Sequence, residues 1–385
     1  MDTHEAIRIF HTLGLSQLEI LEYLATVCGV VLSLRTLKRK LRLLGLFRRK
    51  HFTDIIEVAI FIENVISDYN KLHGYKFLHL RCIQEGLVVS QETVRLLLHI
   101  LDPEGIETRR SGRLRRRLYN NPGPDFLWHV DSYDKLKPYG ICVNGAIDGF
   151  SRRIVWLEAY VTSSDPAVIG SYFMNAVESR RGCPKRIRAD RGTENGHVEN
   201  LQKYLRYNHE DEFAKRSFIY GSSNHNQRIE SWWGFLRRHH AQYWMDIFHT
   251  MKDQDDFDGG FLDRNLVQFC FLKLIQDGLD EVVELWNTHR IRPSRNQVSP
   301  SGRPNTMYHL PHLHGAHHHI CPVMPAEIQL CKEVCTPKKR YTCDKTVFNL
   351  CCELMDENNK FPPTNANEAK QLYQFLRHRI LHEIL

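Results

Sequence analysis

Hydrophobic positions recur with a helical period in the first fifty residues of the chain. Two amphipathic segments lie within residues 6–50, and the short break Cys28-Gly29-Val30 separates them. Ser16 and Ser33 stand where the N-caps of two helices belong. A helix, a short turn and a basic second helix are the elements of a helix-turn-helix motif, although a helical hairpin in a bundle gives the same pattern.

The same pattern returns in residues 51–101. It predicts helices over residues 54–73, 78–85 and 90–98, with a break at residues 86–89. These elements indicate a second helical unit that resembles a helix-turn-helix. Residues 102–124 have no hydrophobic period and are rich in Gly, Pro, Asn and Arg, which is typical of a linker.

Beyond residue 125 the hydrophobic pattern becomes that of short strands alternating with helices. Turn residues separate the first three strands, and Asp165 with Pro166 can begin the first helix. The predicted strands are residues 126–132, 141–148, 153–160, 186–190 and 217–221, and the later helices are residues 195–207 and 226–243. The order βββαβαβα predicts an α/β domain.

The formal net charge of +7 over 385 residues is modest, but its distribution is uneven. Eight basic residues and no acid stand between positions 35 and 50: Arg35, Lys38, Arg39, Lys40, Arg42, Arg48, Arg49 and Lys50. A second run contains Arg109, Arg110, Arg113, Arg115, Arg116 and Arg117. Crowded basic side chains repel one another unless an anionic surface is near, and nucleic acid is the commonest such surface. A solvated helix face is the alternative for either cluster alone.

The apolar and cysteine content indicates a protein that is neither secreted nor embedded in a membrane. No apolar run approaches the roughly 20 residues that span a bilayer, and the first residues lack the pattern of a signal peptide. Most of the eleven cysteines stand singly and are interpreted as reduced thiols. We therefore expect a nuclear location, or a cytoplasmic one before import.

The region 306–385 is rich in histidine and cysteine, and its role stays open. Its candidate zinc ligands are His312, His314, His317, His318, His319, Cys321, Cys331, Cys335, Cys343, Cys351 and Cys352. They could supply four ligands, but their spacing is poor, because Cys331 and Cys335 alone form a close pair. A structural zinc ion in this region is not expected.

Three acids stand where predicted loops meet predicted elements. Asp131 ends the first strand, Asp190 ends the fourth, and Glu230 lies on the last helix of the core. A carboxylate at a strand end is more often a cap or a surface group, so none of the three indicates a site alone. At about 100° per residue, Glu230 lies away from the apolar side of its helix and beside Arg237 and Arg238, which could contact DNA.

Four motifs occur in order around these acids. They are Trp128-His129-Val130-Asp131, Ala146-Ile147-Asp148-Gly149-Phe150-Ser151-Arg152, Arg188-Ala189-Asp190-Arg191-Gly192-Thr193-Glu194-Asn195 and Asn226-Gln227-Arg228-Ile229-Glu230. Together they resemble the retroviral-type integrase core, which integrases share with many DNA transposases. The resemblance covers roughly residues 125–245, and a weaker likeness extends over residues 286–293.

The resemblance implies a ribonuclease-H-like fold, in which a mixed five-stranded sheet with flanking helices follows the all-α helix-turn-helix units. It implies that Asp131, Asp190 and Glu230 are both the catalytic residues and the ligands of two Mg²⁺ or Mn²⁺ ions. Magnesium prefers oxygen ligands and leaves positions for water and phosphate, so three carboxylates suffice. The implied enzyme is an integrase or transposase, a polynucleotidyl transferase and endonuclease.

The implied partner is double-stranded DNA, both the ends of a mobile element and the target, and a homo-oligomer is expected on it. The candidate DNA-binding residues are Arg35, Lys38, Arg39, Lys40, Arg42, Arg48, Arg49, Arg115, Arg116, Arg237 and Arg238. The predicted division is residues 1–50, 51–101, a basic linker at 102–124, a catalytic core with a helical extension at 125–305, and 306–385.

Two features set the chain apart from retroviral integrases. Thirty-nine residues separate Asp190 from Glu230, more than in the retroviral pattern, and the N-terminal His/His/Cys/Cys zinc module is missing. These features favour a relative of DNA transposons. The neighbouring acids Asp148 and Glu194 are interpreted as turn residues. A transposon-derived, host-adopted DNA-binding protein without activity, or a nuclease that cuts without joining, fits the same sequence.

Overall fold

The computed structural model describes residues 2–67, 73–103, 106, 121–221, 226–293 and 300–381. Arg115 and Arg116 of the predicted basic linker lie outside these residues. The chain forms two compact units, Met1–Pro122 with Glu284–His317, and Gly123–Val283 with His318–Leu385. The division into five parts made from the sequence stays a prediction.

The first unit begins with three short helices, α1 (Thr3–Thr12), α2 (Gln17–Thr26) and α3 (Leu34–Leu43). Both serine N-caps predicted from the sequence are confirmed: the Ser33 hydroxyl accepts from the Thr36 amide at 3.1 Å, and Ser16 forms a capping box with Glu19. The first predicted helical segment is in fact two helices. Gly14 separates α1 from α2 because it has a left-handed φ of +76°, which a side chain rarely adopts.

The second group of helices in this unit is α4 (Ile55–Ser67), α5 (Tyr75–Gln84) and α6 (Gln91–Leu101). The third helix begins close to the predicted position, and the Ser90 hydroxyl caps it by accepting from the Thr93 amide at 3.0 Å. Two separate apolar clusters fill this unit, one within α1–α3 and one within α4–α6. Leu310, just after the short helix α12 (Pro304–His309), is buried in the first cluster.

The second unit is built on a mixed sheet of β1 (Leu127–Tyr133), β2 (Cys142–Asp148), β3 (Ile154–Tyr160), β5 (Arg186–Ala189) and β6 (Phe218–Tyr220). The strand order is β3-β2-β1-β5-β6, with β1, β2 and β3 antiparallel and β1, β5 and β6 parallel. This sheet confirms the predicted ribonuclease-H-like arrangement. A further two-residue pair, β4 (Gly182–Cys183) with β7 (Cys321–Pro322), was not predicted.

The helices of this unit are α7 (Pro166–Arg180), α8 (Gly196–Leu205), α9 (Gln227–Leu236), α10 (Gln242–Asp253), α13 (Pro325–Glu333), α14 (Lys345–Glu357) and α15 (Ala366–Arg379), together with the part of α11 (Phe261–Thr288) up to Val283. Asp165 caps α7 as predicted, with a 3.0 Å bond from the Ala167 amide. The single helix predicted over residues 226–243 is interrupted, because a π-helical segment at Arg237–Ala241 joins α9 to α10.

The apolar core of the sheet lies between its strands and α7 and α8. Trp128 of β1 is fully buried, and its ring meets Phe173 of α7 edge to face with centroids 6.4 Å apart. The Trp128 Nε1 donates to the Asp125 carboxylate at 2.9 Å, which satisfies the buried indole. No helix in the described residues is long and apolar enough to cross a membrane.

Candidate active site

The parallel pairing of β1 with β5 brings the first two acids together. Trp128 pairs with Ile187 and His129 with Arg188. Continued for two residues, this register sets Asp131 directly opposite Asp190. Because neighbouring strands lie about 4.8 Å apart, the two backbones are adjacent where these side chains begin.

Helix α9 brings the third acid to the same place, and Asn226 fixes the start of that helix. Buried Asn226 donates from Nδ2 to the Val130 carbonyl oxygen at 2.8 Å, and its Oδ1 accepts from His129 Nδ1 at 2.7 Å. One turn after Glu230, the Trp233 Nε1 donates to Asp131 Oδ2 at 2.8 Å. Residues three apart on a helix are neighbours, so Glu230 lies beside Asp131.

The three carboxylates interact electrostatically. The pKa of Asp131 is raised to about 7: burial is the largest cause, the negative charges of Glu230 and Asp190 also raise it, and the hydrogen bonds from Trp233 and Ser132 oppose the rise. Burial and then the charge of Asp190 raise the pKa of Glu230. Any two of these carboxylates therefore repel each other when both are ionised, and a bound divalent cation would relieve that repulsion.

Asp190 is held by an amide of the turn that follows it. The Asn195 Nδ2 donates to Asp190 Oδ1 at 2.9 Å and more weakly to Glu194 Oε1 at 3.3 Å. Asn195 is itself buried. This contact fixes the carboxylate at the carboxyl end of β5, where it meets Asp131.

Residues 118–314, just over half of the chain, match the family described as integrase core domain. The chain belongs to the integrase core domain family. Its function is therefore of the DNA integration and transposition type, and its partner is nucleic acid. No curated protein matches the chain.

The two neighbouring acids of this integrase core have other partners. Asp148 is fully buried and accepts from the Asp125 amide at 2.8 Å and from the Ser151 amide and hydroxyl at 2.7 and 2.6 Å. It thus holds the turn between β2 and β3. Glu194 bonds to Asn195 within its own turn.

Sequence reasoning missed the residues that position the acids, namely His129, Asn195, Asn226 and Trp233. Three of them stand inside the motifs that identify the integrase core, and Trp233 follows Glu230 by three positions. The available signal was an asparagine close in sequence to two of the acids, because Asn195 follows Asp190 and Asn226 precedes Glu230. The apolar side of α9, with Ile229, Trp232, Trp233 and Leu236 buried and Glu230 exposed, agrees with the angular prediction.

The basic residues predicted to bind DNA differ in their surroundings. Arg35, Lys38, Arg39, Arg42, Arg49, Arg237 and Arg238 are exposed. Lys40 is half-buried and donates to His4 Nε2 at 2.9 Å. Arg48 is half-buried, and its Nη2 donates to the carbonyl oxygens of His11 and Leu15 at 2.7 and 3.0 Å. Its guanidinium hydrogen-bonds carbonyl groups at and just after the end of α1, so Arg48 is not part of the proposed DNA surface.

Two substitutions should move the pKa of Asp131 in opposite directions in the metal-free protein. Glu230→Gln removes a nearby negative charge that disfavours the carboxylate, so the pKa should fall below about 7. Trp233→Phe keeps an aromatic ring but removes the N–H donor to Asp131, so the pKa should rise. Nuclear magnetic resonance of carboxyl-labelled aspartate would follow the titration.

The exposed residue Glu212, which no interaction links to Asp131, gives the control substitution Glu212→Gln. It should leave the titration of Asp131 unchanged. Equal shifts from Glu230→Gln and Trp233→Phe would contradict the described geometry.

Proposed function

We propose that this protein cuts DNA and joins DNA ends, with Asp131, Asp190 and Glu230 as its catalytic residues. The observation that supports the proposal most is the interaction of the three acids Asp131 in β1, Asp190 just after β5 and Glu230 in α9. Integrase-type chemistry needs carboxylates from separate elements at one point, and no nucleophilic side chain is required.

The donor set fits Mg²⁺ or Mn²⁺. All three ligands are carboxylates, which hard divalent cations prefer, and mutual repulsion contributes to the raised pKa values of Asp131 and Glu230. When bound, two such ions supply activation of water or a 3′-hydroxyl and stabilisation of the leaving 3′-oxygen. Asp131 and Asp190 would bind the ions from the sheet, and Glu230 would bind them from helix α9.

The positioning residues keep this constellation in place. Trp233 directs one oxygen of Asp131, and the Ser132 amide holds the other at 2.9 Å. Asn195 orients Asp190, and Asn226 fixes the helix that bears Glu230. Since rigid support of the reacting geometry governs such rates, each positioning residue should affect turnover more than DNA affinity.

DNA recognition is proposed for α3, with α2 and α3 acting as a helix-turn-helix. The exposed residues Arg35, Lys38, Arg39 and Arg42 lie on α3, while Leu37 and Leu41 are buried against α1 and α2. This division leaves the basic face free for phosphates and base edges. Arg237 and Arg238 are exposed beyond α9 and are proposed to contact DNA near the acids. A homo-oligomer on DNA and a nuclear location complete the proposal.

The experiment uses the full chain, a labelled DNA duplex and Mg²⁺. Metal-dependent cleavage followed by joining of the labelled end to a second duplex would support the proposal. Cleavage without joining would instead show a nuclease. Tight binding of duplex with no metal-dependent reaction on any DNA end would favour a host-adopted DNA-binding protein.

A further inference from the structure

The short strands β4 and β7 bring together two cysteines that are far apart in sequence. Cys183 and Cys321 are direct partners in its antiparallel register. The side chains of Cys183 and Cys321 interact with each other. Both residues are buried at the edge of the apolar core of the sheet. A pair of cysteines on adjacent strands can supply two of the four ligands of a tetrahedral zinc site.

Two further types of ligand lie beside Cys321. Ligand atoms of His209, Asp211 and Cys321 all lie within 4.8 Å of one another. His209 and Asp211 are half-buried and belong to the segment that follows α8. Both also line a cleft of about 580 Å³, which gives an ion a path to the cluster from solvent.

We propose that the group formed by His209, Asp211 and Cys321 binds one zinc ion, and that Cys183, the strand partner of Cys321, completes the shell. Zinc accepts sulfur, imidazole nitrogen and carboxylate oxygen in one four-coordinate shell, and four protein ligands are typical of a structural site. Thiolate and imidazole ligands select against magnesium, which prefers oxygen. This site thus differs in chemistry from the three carboxylates of the active site.

Arg206 balances the charge of the proposed site. Its fully buried guanidinium donates from Nη1 to Cys321 Sγ at 2.9 Å and from Nη2 to Asp211 Oδ2 at 2.5 Å. Two thiolates and one carboxylate give three negative charges, and Zn²⁺ with the guanidinium gives three positive ones. Hydrogen bonds to ligand atoms from outside the coordination shell orient the ligands and tune the metal.

The proposed ion would join three distant parts of the second unit. Cys183 follows α7, His209 and Asp211 follow α8, and Cys321 begins the segment that leads into α13. Binding free energy at a structural zinc site is folding free energy, because the unfolded chain has no such site. Zinc would therefore hold the C-terminal helical segment on the integrase core.

Elemental analysis of the full-length protein, purified with a phosphine reductant, should find one zinc per chain. Replacing zinc with cobalt should give thiolate charge-transfer absorption. His209→Ala changes a half-buried ring, so the protein should fold while its zinc affinity falls at least about tenfold. Cys321→Ser should remove about half of the charge-transfer intensity or all of the binding.

Cys331→Ser is the matched control, because Cys331 is a buried cysteine of the same apolar cluster. It should keep its zinc, and so should Asp190→Asn, which separates this site from the catalytic acids. A protein that takes up no zinc, or equal zinc affinity in the parent, His209→Ala and Cys321→Ser, would overturn the proposal. So would a metal-free Cys183–Cys321 disulfide in the unreduced protein, which would reveal a redox pair.

Discussion

Asp190→Asn should lower magnesium-dependent DNA cleavage by at least about a hundredfold, with duplex binding unchanged. The substitution keeps side-chain size and an Oδ1 that can accept from Asn195, whose Nδ2 donates at 2.9 Å. It removes one negative charge from the site where Asp190 faces Asp131 and Glu230. Because charge would hold the proposed divalent cation there against water, the loss should fall on the chemical step.

Glu194→Gln is the control for this prediction, since Glu194 stands in the same turn and also contacts Asn195. It should leave cleavage within about twofold of the parent, because Gln keeps the acceptor that Asn195 uses. Single-turnover cleavage of a labelled duplex and binding by fluorescence anisotropy would separate the two effects. Equal cleavage by Asp190→Asn and the parent would rule out the proposed catalytic role.

Charge reversal on α3 should have the next largest effect. Replacing Lys38, Arg39 and Arg42 together with Glu should weaken duplex binding by about a hundredfold at low salt and reduce the salt slope by about 2.7. Each lost phosphate contact removes one released counterion from the binding equilibrium. All three side chains are exposed, so the buried side of the helix stays intact.

Exposed lysines of the second unit provide a matched triple reversal at Lys252, Lys345 and Lys360. This variant has the same net charge as the α3 variant but should keep most of the affinity and slope. Binding measured across a range of salt concentrations would compare the two. Equal losses in both variants would mean that binding follows total charge, and α3 would then be an ordinary helix of the bundle.

The elements that were predicted well are those whose signals are local. Alternating apolar positions placed the starts and ends of β1 and β3 within one residue, and Ser16, Ser33 and Ser90 cap helices through bonds to residues three positions away. Such bonds depend on sequence spacing alone. The three acids were found because the motifs around them are also local.

The features that sequence reasoning missed depend on contacts between distant residues. Trp233 reaches Asp131 across 102 positions, and Asn226 reaches Val130 across 96. The strand β4 exists through its pairing with β7, which no local pattern indicates. The zinc expectation considered residues 306–385 alone, whereas three of the four proposed ligands, Cys183, His209 and Asp211, come from earlier in the chain.

If Asp131 binds metal as proposed, its raised pKa would make metal part of the folding equilibrium. The folded pKa of Asp131, about 7, exceeds the unfolded value near 3.9. The contribution of Asp131 to the free energy of unfolding is therefore complete below about pH 4. It is lost as the pH rises through 7, because the folded state then holds an ionised, partly buried carboxylate. The loss in metal-free protein has an upper limit of about 4 kcal/mol. Magnesium would offset it by binding the ionised side chain, so resistance of the integrase core to heat and proteolysis at neutral pH would follow the free magnesium concentration.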